Sequence, residues 1–190
     1  MRKVNENGRS MVEMLGVLAI IGVLSAGGLA GYSKAMFKHK LNSTMDQLTM
    51  LVTNIRTMYG TQDNYKDLTA AQAIKLGIIP AAMKNGSNAL VSPFKGTVTL
   101  ATIKADQAQA INDSGFSVTY AGLPAEACIA LATADWGSGA GSGFIGVAAA
   151  TSGSADASSK YVGTATEGKP LSVGDAITAC GSANTSSVSL

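Results

Sequence analysis

Hydrophobic and polar positions fall into two successive patterns near the start of the chain. Residues 14–33 carry no charge; at about 1.5 Å per residue, about 20 helical residues span roughly 30 Å, the thickness of a bilayer's hydrocarbon core. Beyond Lys34 the pattern changes. Leu41, Met45, Leu48, Val52, Ile55 and Tyr59 recur three and four positions apart, while Lys38, Lys40, Asp46, Gln47 and Arg56 fall on other faces. That is the apolar stripe of an amphipathic helix, and Gly60 is suited to end it in a left-handed conformation. Together the patterns predict one helix over residues 11–59. Its first half, within 9–33, suits lipid or other apolar helices; its second half, within 34–60, suits packing under a globular domain at 61–190.

The remaining pattern is a short helix followed by strands. Thr69 can cap a helix over 70–76, with Gly77 closing it and Pro80 blocking continuation. Asn85-Gly86 and Pro93-Phe94-Lys95-Gly96 are turn chemistry. Residues 97–103 and 115–120 read as strands separated by a polar stretch, and 144–148 and 160–163 as weaker ones. Leu123-Pro124 opens a helix that carries Cys128. Ser172 and Asp175 form an S-x-x-D cap before a helix ending at Cys180. The tail, 186–190, is expected to add an edge strand. The fold class is α+β, with a long N-terminal helix against an antiparallel sheet.

Composition narrows the function classes. The chain is 46% hydrophobic and only 14% charged, with a net charge of +2, too small to argue for nucleic acid. Both cysteines, Cys128 and Cys180, follow the apolar run. Basic Arg2 and Lys3 ahead of the run favour a cytoplasmic N-terminus and an exported domain. In an oxidising compartment the two thiols can close a loop of about 53 residues, worth on the order of 4 kcal/mol. Two separate buried thiols are the alternative.

Candidate catalytic groups are few. The sole histidine, His39, lies between Lys38 and Lys40, as on a solvated helix face, and no His/Cys/Asp/Glu set has metal-ligand spacing. Gly141-Ser142-Gly143-Phe144-Ile145-Gly146 matches G-x-G-x-x-G, but it lacks the strand–helix context of a dinucleotide site and reads as a loop. Trp136 fits core packing or a binding rim. Lys34, Lys38 and Lys40 mark a membrane–water boundary or line an outer surface. No enzyme activity and no cofactor are expected.

Glu13 is the anomaly, a carboxylate at the edge of the apolar run, where an ionisable group is costly and marks function. Gly8-Arg9-Ser10-Met11-Val12-Glu13-Met14-Leu15-Gly16-Val17-Leu18 resembles the leader junction of type IV prepilins. In that pattern a short basic leader ends in Gly, and a glutamate stands fifth after the cut. Further landmarks resemble the type IVb pilins: Tyr65, Gly77-Ile78-Ile79-Pro80, Pro93-Phe94-Lys95-Gly96, Leu123-Pro124 with Cys128, and the segment from Ser172 to Cys180.

The resemblance implies a leader at 1–8, cut between Gly8 and Arg9 by a prepilin peptidase, and methylation of the new amine. Arg9 is charged where the family commonly has an apolar residue. The resemblance also implies a Cys128–Cys180 disulfide bounding the region 128–180, and the type IV pilin fold. The chain would reside in the inner membrane with its C-terminal domain periplasmic. It would then polymerise, with the assembly machinery and minor pilins, into an extracellular pilus for adhesion, aggregation or conjugation. Met14, Leu15, Val17, Leu18, Ile20, Ile21, Val23 and Leu24 would pack helices of successive subunits. An unpaired Glu13 in that apolar interior needs a cation, and the amine at Arg9 of a neighbour would supply one and set the register. Local unwinding in a filament would centre on residues 22–28, where Gly22, Gly27 and Gly28 fall. A minor pilin or pseudopilin, or a signal-anchored periplasmic binding domain that never polymerises, are the alternatives.

Overall fold

The computed structural model describes residues 11–104, 113–137, 142–151, 170–181 and 186–190. The chain divides into two compact units, residues 1–40 and 41–190. Helix α1 is continuous over Met11–Tyr59, 49 residues, with Glu13 in its first turn and Arg56 in its last. An acid at the N-terminal end and a base at the C-terminal end both complement the helix dipole. The helix runs unbroken through residues 22–28.

In the second unit α1 buries Thr44, Leu48, Leu51, Ile55 and Tyr59. Burying each large aliphatic side chain contributes about 1.5–3 kcal/mol. The predicted stripe shares Leu48, Ile55 and Tyr59, but Leu41, Met45 and Val52 are only half-buried. The buried face is turned toward Thr44 and Leu51, because a threonine methyl can face a core while its hydroxyl bonds elsewhere. Gly60 also differs from expectation. The helix stops at Tyr59, but Gly60 does not take a left-handed φ. A Cβ there would stand 3.0 Å from the Arg56 carbonyl oxygen, so crowding at the last turn favours glycine.

The segment after α1 is fastened back to it by a side-chain amide, as Asn54 Nδ2 donates to the Ile78 carbonyl at 2.8 Å. Helix α2, Ala70–Lys75, has Thr69 Oγ1 accepting from the Gln72 N–H. Its C-terminus closes on Gly77, φ 72°, with Gly77 N–H bonded to the Ile74 carbonyl and Ile78 N–H to the Ala73 carbonyl. That double bond pattern needs a left-handed residue, which glycine adopts without strain. A 3-10 turn, Ala81–Met83, then drops Met83 into the core.

The described residues form one six-stranded antiparallel sheet, in the order β1-β2-β3-β4-β6-β5. Its strands are β1 (Lys84–Asn85), β2 (Ala89–Val91), β3 (Thr97–Ile103), β4 (Gly115–Leu123), β5 (Ala148–Ala150) and β6 (Ser186–Ser189). Strand β3 matches its predicted range, and β4 extends beyond it. Turns at Gly86 (φ 76°) and Lys95 (φ 65°) join β1 to β2 and β2 to β3. Strand β5 shares only Ala148 with the predicted 144–148, because its ladder with β6 begins there, opposite Ser189, and runs on to Ala150. The predicted strand at 160–163 lies outside the described residues.

Strand β6 corrects an expectation. It is not an edge strand; it lies between β4 and β5, and all four of its residues are buried. Pairing on both sides explains the burial. Tyr120 of β4 lies opposite Val188, and Val188 lies opposite Ala149 of β5. Thr119 Oγ1 donates to Ser189 Oγ at 3.0 Å, so these two hydroxyls satisfy each other inside the sheet.

Two helices complete the second unit. Helix α3 is Ala125–Thr133, opened by Pro124 at its N-cap as expected. Helix α4 is Val173–Cys180. Ser172 caps it as the S-x-x-D pattern predicts, accepting from the Asp175 N–H at 3.2 Å and donating to Asp175 Oδ2 at 2.7 Å.

Candidate functional site

The first part of α1 presents a continuous apolar surface. Met11, Val12, Met14, Leu15, Val17, Leu18, Ile20, Ile21, Val23, Leu24, Leu29 and Tyr32 are all exposed, from 49% at Met14 to 85% at Met11. By length and composition this helix can cross a membrane, and none of its most apolar stretch is buried within the chain. Isolated surface leucines are ordinary, but a contiguous patch of this size marks an interaction surface. Cβ atoms built at Gly16, Gly22, Gly27, Gly28 and Gly31 would meet nothing within 4 Å. Contacts among the described residues therefore do not require these glycines, whereas close approach of another helix would use them.

Glu13 stands exposed in the first turn, at the lip of this surface. Its proposed partner at Arg9, and the junction residue Gly8, lie outside the described residues. His39 is exposed on α1, as are Lys34 and Lys38.

The second unit carries the other sequence-predicted pair. Cys128 in α3 and Cys180 at the end of α4 form a disulfide with Cα atoms 5.9 Å apart, and both residues are fully buried. It joins two helices that pack on each other. Arg56 is the residue sequence reasoning missed. Its Nη1 donates to the Ser142 carbonyl at 2.9 Å, tying α1 to a segment inside the disulfide-bounded region. The partners are 86 positions apart, so no local pattern signals the contact.

Beside that contact lies a cavity of about 460 Å³, lined by Leu48, Val52, Arg56, Tyr65, Phe116, Trp136 and Phe144 among others. Tyr65 links its wall to the core, with ring centroids 5.5 Å from Tyr59 and 4.9 Å from Phe116. Trp136 packs on α3 and also borders the cavity. The ring is half-buried, its Nε1 donates to the Leu131 carbonyl at the end of α3 at 2.9 Å, and it lines the cavity. Residues 142–147 form neither strand nor helix, so the glycine-rich match has no dinucleotide-binding context there. Among the described residues no group of three or more His, Cys, Asp or Glu is placed to hold a metal ion.

A family model described as bundlin matches residues 34–189. The chain belongs to the bundlin family. It is 26% identical over 141 residues to the major structural subunit of bundle-forming pilus of Escherichia coli O127:H6, covering 74% of this chain and 70% of that protein. The same values hold for the corresponding subunit of Escherichia coli O111:H-. Two solved structures share its fold. The type IVb pilin of Salmonella typhi has a TM-score of 0.54 at 18% identity, over 78% of this chain and 96% of that one. TcpA, a type IV pilin from Vibrio cholerae El Tor, has a TM-score of 0.56 at 18% identity, over 80% and 98%. The bundlin assignment begins at Lys34, so it covers the second unit and leaves most of the apolar surface to be read from its own chemistry.

Proposed function

We propose that this chain is the structural subunit of a type IVb pilus, built by burying the apolar part of α1 against the same helix in other copies. The observation that carries this reading is a bundlin-family unit on the same chain as a 49-residue helix whose first part has no cover of its own. Each large apolar side chain withdrawn from water contributes about 1.5–3 kcal/mol toward association.

The steps before and during assembly follow from the residues at the lip. A prepilin peptidase cuts between Gly8 and Arg9, and the freed amine is methylated. Until assembly the span stays in the inner membrane, with the second unit on the periplasmic side. Met14, Leu15, Val17, Leu18, Ile20, Ile21, Val23 and Leu24 then exchange lipid for neighbouring helices. Glu13 pairs with the amine of an adjacent Arg9, which sets the axial register. A buried ion pair of this kind is favoured less for strength than for specificity, since a shifted register leaves two charges unpaired. Assembly machinery and minor pilins are the further partners.

The cavity beneath Trp136 favours a second reading, a membrane-tethered binding domain that never polymerises. Electron microscopy of material sheared from cells, with mass spectrometry of its N-terminus, separates the two. Fibres containing this chain and beginning at Arg9 are expected. Absence of this chain from any fibre overturns the pilin reading; an intact Met1 in assembled fibres overturns the cut.

A further inference from the structure

The apolar run ends at a pair of cations that the assembly reading does not use. Lys34 follows the last uncharged residue, and Lys38 stands one turn beyond it. At 100° per residue the two lie about 40° apart around the helix and about 6 Å apart along it, side by side on one face. Both are exposed, and neither has a carboxylate partner among the described residues. No acidic residue occurs between Glu13 and Asp46. Tyr32, 64% exposed, sits just below them, an aromatic ring at the level where membrane proteins place their interfacial belts.

Depth and charge point to the same ligand. With residues 14–33 filling the roughly 30 Å hydrocarbon layer, the polar layer beyond it is about 5–8 Å thick on each side. Both ammonium groups then fall within that layer, where the fixed charges are lipid phosphates. Lysines on the exported side of a span work against the usual bias of cations toward the cytoplasm, so their presence there calls for a compensating interaction.

We propose that Lys34 and Lys38 form a binding site for the phosphodiester headgroup of an anionic phospholipid in the exported leaflet, fixing the depth of the subunit before assembly. This rests on the reading that α1 spans the membrane. Each ammonium offers three donors and a compact charge, and two side by side can engage one headgroup. Extraction into a filament must then release that lipid as well as the acyl chains.

The test uses the full chain reconstituted in phosphatidylcholine vesicles holding a trace of either spin-labelled phosphatidylglycerol or spin-labelled phosphatidylcholine. Electron paramagnetic resonance reads the motionally restricted lipid at the protein surface. The glycerol lipid is expected to associate about fivefold more strongly than the choline lipid, with the preference shrinking as salt rises. In K34Q/K38Q the preference should fall by about twofold or more, while K34R/K38R retains it. Equal association of the two lipids with the unaltered chain, or a preference unchanged in K34Q/K38Q, overturns the proposal and leaves the spanning helix intact. No restricted lipid with either label overturns the spanning reading itself.

Discussion

The guanidinium of Arg56 and the carbonyl of Ser142 lie 2.9 Å apart, and the next residue, Gly143, holds φ at 74° directly beneath that guanidinium. A Cβ at Gly143 would sit 3.1 Å from Arg56 Nη2. Gly143→Ala is therefore expected to cost about 1–2 kcal/mol, from the left-handed backbone plus the displaced guanidinium. Urea denaturation followed by Trp136 fluorescence gives the value. In an Arg56→Met background the same change should cost less, because the two residues are in contact; equal costs in both backgrounds would show that the contact contributes nothing.

Cys128→Ser combined with Cys180→Ser should lower the stability of the second unit by about 4 kcal/mol, the loop-closure value for a loop of this size. Both residues are fully buried and join α3 to α4. A loss below about 1 kcal/mol in denaturant titrations would mean that helix packing alone holds the region.

Tyr120 is fully buried, and its hydroxyl has no hydrogen-bond partner among the described residues. Tyr120→Phe should leave stability at pH 7 unchanged or raise it by about 1 kcal/mol, since it removes an unsatisfied donor. Burial also pushes the phenol above its usual range. A raised folded-state value means that ionisation of the phenol opposes folding, so stability is at its full value below about pH 10 and is lost as pH rises further. Denaturant midpoints of the native chain should fall above pH 10 more steeply than those of Tyr120→Phe; parallel curves would remove Tyr120 from the alkaline transition.

Glu13→Gln should leave the chain in the membrane and abolish fibres, because the amide cannot neutralise a neighbour's amine. Membrane fractionation and electron microscopy of the same cells check both halves. Normal piliation by this variant would remove Glu13 from register selection.

Gly8→Trp should block the cut before Arg9, since a bulky side chain stands at the junction. Mass spectrometry of the membrane-bound chain should then find the leader retained; a mature N-terminus at Arg9 would place the specificity elsewhere.

The parts of this fold that were legible in the sequence are those governed by neighbours a few positions away. Ser172 with Asp175, Thr69 with Gln72, and the turn at Gly77 are local backbone chemistry, and each stands where the pattern placed it. The long helix was legible because its periodicity persists over many turns. Burial of small polar residues was not. Thr44 faces the core, and Ser186, Ser187 and Ser189 are wholly buried, because β4 and β5, distant in sequence, pair with β6 on both sides. At the candidate site, the Gly8–Glu13 spacing is visible as a motif. The Arg56–Ser142 contact depends on the folded path of the chain and leaves no trace in local sequence.

The position of β6 has a consequence for how the molecule comes into being. Strands β1 to β4 can pair as a meander while the chain is still being made, but β5 pairs with β6, and β6 comes after every other element in chain order. A nascent chain therefore holds an open slot along β4, with Val118 and Tyr120 lacking their cover, until residues 186–190 emerge and Val118 and Leu190 exchange their two backbone hydrogen bonds. Such a domain closes last-in, like a keystone set after the arch. A chain that stalls short of its final strand leaves an unpaired inner strand for quality-control proteases to find.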